Sequence, residues 1–364
     1  MKSAFCGYIA EIPFILVDNF ENKHKSAYFL SHFHGDHVFG LDKADLPANL
    51  KKNEGYIYAS EVTIAIIRNE VPELSPYLKI LDLGRNTISI KEDDKELYLN
   101  VTVLPAGHSL GSVMFLFEHN QSILYTGDFR ITPNTLSKYT HLHRNEQPIT
   151  LDVLYIDTTF QNVASFPKRS DVIRNLIVHV RDWLNTGCSN KVVLLTSAMY
   201  GYECVCNEIY KALKVKTYIR GTKWNVFSQF PKEMYGITND KSSRIHLCKK
   251  NENIYPATPE TLFIYFSAMK WGDQATEENF IKIKKNRIDV CFATHCGRDE
   301  LLYFKNYFQP KRIVGFPEPF LSSSPVKIDC NLEPSLFSPK KSGTKRPRSR
   351  SKSNKDNWWL KKKK

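Results

Sequence analysis

The stretch Ser31-His32-Phe33-His34-Gly35-Asp36-His37 puts three histidines and an aspartate within six positions. Imidazole and carboxylate together are the usual ligands of a hydrolytic dication. In extended chain His32 and His34, two apart, face the same side. Gly35 lets the backbone turn, so Asp36 and His37 diverge toward a second position. One stretch can therefore begin two adjacent metal sites. Such ligands need a rigid support, and the apolar run Ala27-Tyr28-Phe29-Leu30 just before them reads as a buried strand.

Further candidates stand at similar corners. His108 follows Gly107 at the end of the alternating run Leu97–Leu104. Asp128 follows Gly127 after Ile123–Tyr125, the second arm of a hairpin whose first arm is Val113–Phe117. Glycine at such corners lets backbone approach an ion closely. Asp18 closes the run Phe14–Val17, where an aspartate is either a turn residue or a group facing the metal stretch. Asp157 closes Val153–Ile156 and is placed to orient a histidine. Ile288–Thr294 reads as a strand delivering His295.

Other candidates read as structural. His141 and His143 lie in a polar connection and read as solvated loop residues. His179 borders the apolar face of a helix that Ser170 caps and that carries Val172, Ile173, Leu176, Ile177 and Val180. Cys204 and Cys206 are two apart on a helix spanning 202–215, do not face each other, and read as packing residues.

The elements divide the chain. Through about residue 158 the sequence is rich in strands. Past Phe160 helix and strand alternate, with strands at 191–196, 261–266 and 312–316. The length of 364 residues suffices for one large core or two modest ones. No apolar run reaches the roughly 18–20 residues of a membrane span, and 1–16 lacks a signal-peptide pattern. Eight cysteines are scattered without a disulfide framework, which suits reduced thiols in the cytosol or nucleus. Of the net charge of +13, +11 sits in residues 340–364, leaving +2 for the rest. The folded part is thus nearly neutral, and net charge alone does not make it a phosphate-gripping surface. From 338 onward the chain is basic, serine-rich and core-free, a disordered tail suited to nuclear import or to DNA. Trp358-Trp359 within it has no assignment.

These motifs resemble the metallo-β-lactamase fold: His32-Phe-His34-Gly-Asp36-His37, then Gly107-His108, then Thr126-Gly127-Asp128. The longer blocks Leu104–His108, Gly111–Phe117, Leu124–Arg130, Tyr155–Phe160 and Tyr200–Glu203 resemble its β-CASP branch, the Artemis-type DNA nucleases, over residues 8–325. The resemblance implies an α/β protein, an αββα sandwich with an inserted β-CASP α/β domain. Its parts would be a first sandwich portion at 1–158, the insert at 159–284, the return at 285–330 and the basic tail at 338–364. It implies zinc held by His32, His34, His108 and Asp128. A looser second position, open to another divalent cation, would use Asp36, His37 and the bridging Asp128.

Asp18 and Asp157 match acidic motifs of the family, and His295 matches the histidine at the scissile phosphate. Asp18, Asp157, His295 and Asp128 are accordingly the catalytic candidates. Val314 stands where RNA-processing relatives carry one more ligand, which points to DNA and weakens the second metal position. Cys296-Gly297-Arg298 replaces the usual Ser-Ser-Tyr, with Arg298 as an alternative phosphate contact, and Ser109-Leu110 replaces Cys-Pro. Only His246, Cys248 and Tyr218 stand near the places of an extra structural zinc, which is expected to be absent.

The implied function is zinc-dependent phosphodiester hydrolysis of DNA, as an endonuclease or a 5′→3′ exonuclease in end joining or crosslink repair. Bound Zn2+ lowers the pKa of water from about 15.7 toward about 7. An RNA-processing enzyme or a catalytically weak DNA-binding scaffold are the rival readings. The implied setting is nuclear, with DNA ends, overhangs or hairpins as substrate. End-joining kinase or ligase factors would be partners, the chain a monomer, and no membrane involved.

Overall fold

Four short parallel strands form the first sheet, β1 (Ile15–Val17), β2 (Ala27–Leu30), β3 (Tyr56–Ala59) and β4 (Leu78–Ile80), in that order. All four residues of β2 are buried. That is why Ala-Tyr-Phe-Leu shows no alternation: both faces of this parallel strand are covered. One cover is α1 (Leu46–Lys52) with α2 (Glu61–Glu70), whose Leu46, Leu50, Ile64 and Ile67 pack on Leu16, Tyr28, Leu30 and Ile57. Ser60 caps α2 by accepting from the Thr63 N–H.

The other cover is a six-stranded mixed sheet. It contains β5 (Gly84–Glu92), β6 (Lys95–Pro105), β7 (Val113–Glu118) and β8 (Ser122–Tyr125). After a small ribbon of β9 (His143–Arg144) and β10 (Gln147–Pro148), β11 (Val153–Asp157) joins it beside β8. Side chains of both sheets share one core, in which Phe29 meets Phe115 at 5.4 Å and Phe117 at 5.0 Å in edge-to-face contacts. Such pairs contribute about 0.5–1.5 kcal/mol beyond area burial. Only the first half of β6 alternates between exposed and buried residues. From Val101 onward both of its faces are covered.

The chain then builds a seven-stranded sheet. Its elements are α3 (Arg169–Asn185), β12 (Lys191–Thr196), α4 (Glu203–Leu213), β13 (Thr217–Tyr218), α5 (Thr222–Phe227), β14 (Ile237–Thr238), β15 (Ile245–Lys249), β16 (Thr261–Ser267), β17 (Ile281–Lys284) and β18 (Arg287–Cys291). The strand order is β14-β13-β15-β12-β16-β18-β17, parallel except for β17. Finally α6 (Arg298–Phe308) leads to β19 (Arg312–Phe316), which pairs with β11 at the edge of the six-stranded sheet.

This return differs from the sequence reading. The boundary at 285 cuts through the seven-stranded sheet, because Arg287–Cys291 pairs with β16 and β17. A short apolar strand reads alike in either sheet, and only its hydrogen-bonding partners decide. The cap of α3 also shifts, to Lys168 from Ser170, which lies inside the helix.

The computed structural model describes residues 3–21, 25–92, 95–276 and 278–321. Met1–Phe320 is one compact unit; of the second, Leu321–Lys364, only Leu321 is described. The basic tail at 338–364, Trp358-Trp359, Cys330 and the end of the 285–330 segment lie outside the described residues. No helix among the described residues is long and apolar enough to cross a membrane.

Candidate metal centre

The C-terminal ends of β2, β6, β8 and β11 deliver the candidate ligands to one place. After β2, the His37 and Val38 N–H groups both donate to the His34 carbonyl, closing a turn directly after His34. After β6, Gly107 adopts φ +71°, and a Cβ there would lie 2.5 Å from the Arg130 carbonyl oxygen. Glycine is therefore needed for His108 to reach inward. The Ser112 hydroxyl accepts the His108 and Ser109 N–H groups at 3.1 and 3.0 Å, so the Ser109-Leu110 departure sits in a well-bonded turn.

His32, His34, His108 and Asp128 converge. His32 Nε2 lies 3.0 Å from His34 Nδ1, and His108 Nε2 lies 2.9 Å from the same atom. Asp128 Oδ2 is 3.5 Å from His32 Nε2 and 3.6 Å from His108 Nε2. Zinc bonds of about 2.0–2.1 Å give tetrahedral ligand separations of about 3.3–3.4 Å, and the observed spacings bracket that value.

The outer hydrogen bonds fix which nitrogens carry protons. His34 Nε2 faces the Tyr200 carbonyl at 3.2 Å and His108 Nδ1 faces the Thr294 carbonyl at 3.0 Å. Carbonyls only accept, so both of these nitrogens donate. The Ser31 hydroxyl donates to Asp18 Oδ2 at 2.6 Å and so accepts from His32 Nδ1 at 3.0 Å. The three remaining nitrogens therefore present lone pairs to one another and to a carboxylate. Only a cation makes that arrangement favourable, and this donor set fits a divalent metal. Burial, with the neighbouring imidazoles, holds His34 and His108 well below the ordinary histidine pKa and so neutral. The principal neighbour is His32 for His34 and His295 for His108.

A second group adjoins the first. His37 Nδ1 donates to Asp18 Oδ2 at 2.8 Å. Its buried Nε2 lies 3.1 Å from Asp128 Oδ1. Asp128 thus offers one oxygen to each group. Burial opposes a charge on His37, but Asp128 and Asp18 overcome it and raise its pKa well above the ordinary value. Conversely, burial works against ionised Asp128, and His37 and His295 pull its carboxyl well below the usual range. Asp36 stands apart from this group. Its carboxylate is half exposed and 3.9 Å from His37 Nε2, and the residues within mutual ligand reach are instead Asp18, His32 and His37.

Asp18 is a hub. At φ +54° it turns its carboxylate inward to accept from Ser31 N, the Ser31 hydroxyl, His37 and the Tyr125 hydroxyl. Asp157 behaves likewise. Its Oδ1 accepts from Thr159 N and the Thr159 hydroxyl, and its Oδ2 takes His295 Nδ1–H at 2.7 Å. His295 Nε2 then lies 3.8 Å from Asp128 Oδ2. Although burial opposes it, Asp157 and Asp128 raise the His295 pKa to about 9.

Two arginines given no role in the sequence hold this frame. Arg130 donates to the carbonyls of Ala293, Phe166 and Pro167 and approaches Glu300 at 3.5 Å. Arg169 donates to Gly107 O at 2.7 Å. Arg130 lies two residues from Asp128, but its hydrogen-bond partners are 36–163 positions away, so nothing local reveals what it bonds.

The remaining candidates lie elsewhere. His143 is half-buried with both nitrogens bound, to Tyr139 O and the Tyr307 hydroxyl at 2.8 Å each, not solvated. His246 bonds the Tyr255 hydroxyl and Ser243 O, with the Tyr218 ring 4.8 Å away. Cys206 is buried and Cys204 half-buried on α4. Val314 packs on the sandwich core. Cys296 is buried, Gly297 caps α6, and Arg298 keeps a buried Nε without a hydrogen-bond partner among the described residues.

No family model matches the chain. Among curated proteins it is 30% identical over 336 residues to human protein artemis and 30% over 339 residues to the mouse protein. Each match covers 85% of this chain and 48% of the relative. It is 32% identical over 316 residues to the DNA cross-link repair protein SNM1 of Arabidopsis thaliana, covering 79% of this chain and 60% of that one. The chain spans about half the length of the artemis proteins it matches.

Proposed function

The chain is a homologue of the Artemis and SNM1 proteins, and from that premise we propose that it is a metal-dependent DNA nuclease of the metallo-β-lactamase/β-CASP family. The observation that carries the proposal is the convergence of three imidazole lone pairs and one carboxylate. The family reading makes the two facing sheets an αββα sandwich and the seven-stranded sheet the β-CASP insert, with the return to the sandwich after Cys291. DNA as substrate rests on the SNM1 relative, named for DNA cross-link repair, and on the valine at 314. Nuclear location, a monomeric state and end-joining kinase or ligase partners belong to the same reading.

His32, His34, His108 and Asp128 would hold the firmer ion, zinc by its donor set. His37, Asp128 and the half-exposed Asp36 would offer a looser position, open to another divalent cation. When bound, such ions supply Lewis-acid activation of water and of the phosphoryl oxygen. The chain's own residues do the rest. Asp18 locks Ser31 and His37, and through Ser31 it sets the His32 tautomer. Asp157 accepts from His295 Nδ1–H and, with Asp128, raises its pKa to about 9, so the imidazolium turns Nε2–H to the cluster and can donate to a phosphate oxygen or to the leaving oxygen. Arg298 is the candidate phosphate contact in place of the usual hydroxyls.

The test is metal analysis with turnover on 5′-phosphorylated single strands, hairpins, overhangs and matched RNA. The expected result is bound zinc and cleavage of DNA leaving 5′-phosphates, lost in His32→Ala. Preferential cleavage of RNA, or DNA binding without turnover, would replace the proposal by an RNA-processing or a scaffold role.

A further inference from the structure

The three metal-facing imidazoles are not held by the same part of the molecule. His32 is oriented from within the sandwich through Ser31 and Asp18. His34 is oriented by the Tyr200 carbonyl, in the segment between β12 and α4, and His108 by the Thr294 carbonyl beyond β18. Two ligands of the first site therefore take their orientation from chain flanking the seven-stranded sheet.

One buried side chain joins these supports. Glu203, the first residue of α4, is 5% exposed. Its two oxygens accept from the Gly201 N–H at 2.8 and 3.0 Å, and Oε2 also accepts from the Leu110 N–H at 3.3 Å. Gly201 follows Tyr200, and Leu110 lies two residues after His108. The carboxylate thus bonds the segment that orients His34 to the turn that carries His108. Among the described residues no cation lies within ion-pair distance of it. Taking a carboxylate out of water costs several kcal/mol, which an apolar residue would not incur. A helix N-terminus offsets part of this cost, but capping α4 does not require a bond to Leu110, 93 positions away.

We propose that Glu203 is a positioning residue for the metal site, setting the orientation of His34 and His108 through Gly201 and Leu110. The inference rests on the metal-site reading above. Residues that orient ligands from outside the coordination sphere typically carry 10–100-fold in metal affinity.

The experiment uses the full chain, loaded with Co2+ after chelation, and reads Kd by competition with a chromophoric chelator together with the visible d–d spectrum. Glu203→Gln keeps shape and one acceptor oxygen, but in either amide orientation its NH2 faces the Gly201 N–H, a donor against a donor. Glu203→Ala removes both ties. The expected result is a 10–100-fold weaker Kd and a shifted d–d band in Glu203→Gln, with a larger effect in Glu203→Ala. Glu208→Gln, on the exposed side of the same helix and ion-paired with Lys211, stays at the wild-type values. A merely helix-capping role would lower Tm while leaving the d–d band in place. Wild-type Kd and spectrum in Glu203→Gln therefore overturn the proposal, even if Glu203→Ala fails to fold. A wild-type chain that takes up no Co2+ refutes the metal reading itself and this proposal with it.

Discussion

Asp128→Asn is the most direct perturbation of the site. The substitution keeps the shape of a side chain that lies within 3.1–3.8 Å of nitrogens of His37, His32, His108 and His295, and it removes the charge. Removing one partner from a buried charge cluster costs about 3–5 kcal/mol. At about 1.4 kcal/mol per decade, that is a roughly 100- to 4,000-fold loss in metal affinity. The effect is readable without DNA. With zinc at about 1,000 times its Kd, the wild type gains about 4.1 kcal/mol of stability. If Kd weakens about 1,000-fold, the same zinc concentration equals Kd and the gain falls to about 0.4 kcal/mol. At about 2 °C per kcal/mol for a large domain, a zinc-induced rise in Tm of about 8 °C shrinks to about 1 °C. The assay is thermal unfolding of both proteins with chelator and with buffered zinc. Zinc affinity within tenfold of the wild type would refute Asp128 as a ligand. An equal fall of Tm in chelator would make its role structural.

Other substitutions separate orientation from ligation. His295→Gln should lower DNA cleavage by about 100- to 10,000-fold, the range of general acid–base catalysis, with zinc content unchanged; loss of zinc would make it a ligand instead. Gly107→Ala should cost about 1–2 kcal/mol for the left-handed backbone and more for the 2.5 Å approach to Arg130 O, read as a lower Tm with a weakened Co2+ site. Arg130→Met leaves buried carbonyls of Ala293, Phe166 and Pro167 without donors, at about 1–3 kcal/mol each, measured by denaturant unfolding. In metal-free protein His295 has a folded pKa raised from 6.5 to about 9. Its contribution is therefore complete below about pH 6.5 and is lost as pH rises through about 9, a fall on the order of 3 kcal/mol. Flat stability of the chelated protein across that window would contradict it.

The candidate ligands were legible in the sequence because their signal is local. His32 and His34 alternate at the end of a wholly apolar strand, and His108 and Asp128 each follow a glycine at a strand end. Residue type and position marked them as candidates, and the family resemblance grouped them into one site; strand ends on one edge of a sandwich then bring them together. Asp157 and His295 were legible for the same reason, although their bond spans 138 positions.

What the tertiary structure decided depends on distant partners. Asp36 is near in sequence, but the turn at His34 leaves it half exposed, whereas Asp18 enters the cluster through four hydrogen bonds. Arg287–Cys291 is strand-like in either sheet until its neighbours select one. His143 reads as a loop residue until Tyr307, 164 positions on, supplies its partner. Arg130 and Glu203 each end a block of the resemblance, but their roles were not legible there, because what they bond is mostly backbone, and backbone carbonyls and N–H groups have no sequence signature. The sequence alone marked most of the side chains that are candidates to bind a metal. Only the fold decided which nitrogen of each histidine faces it, because that choice is made by hydrogen-bond acceptors brought together from remote segments.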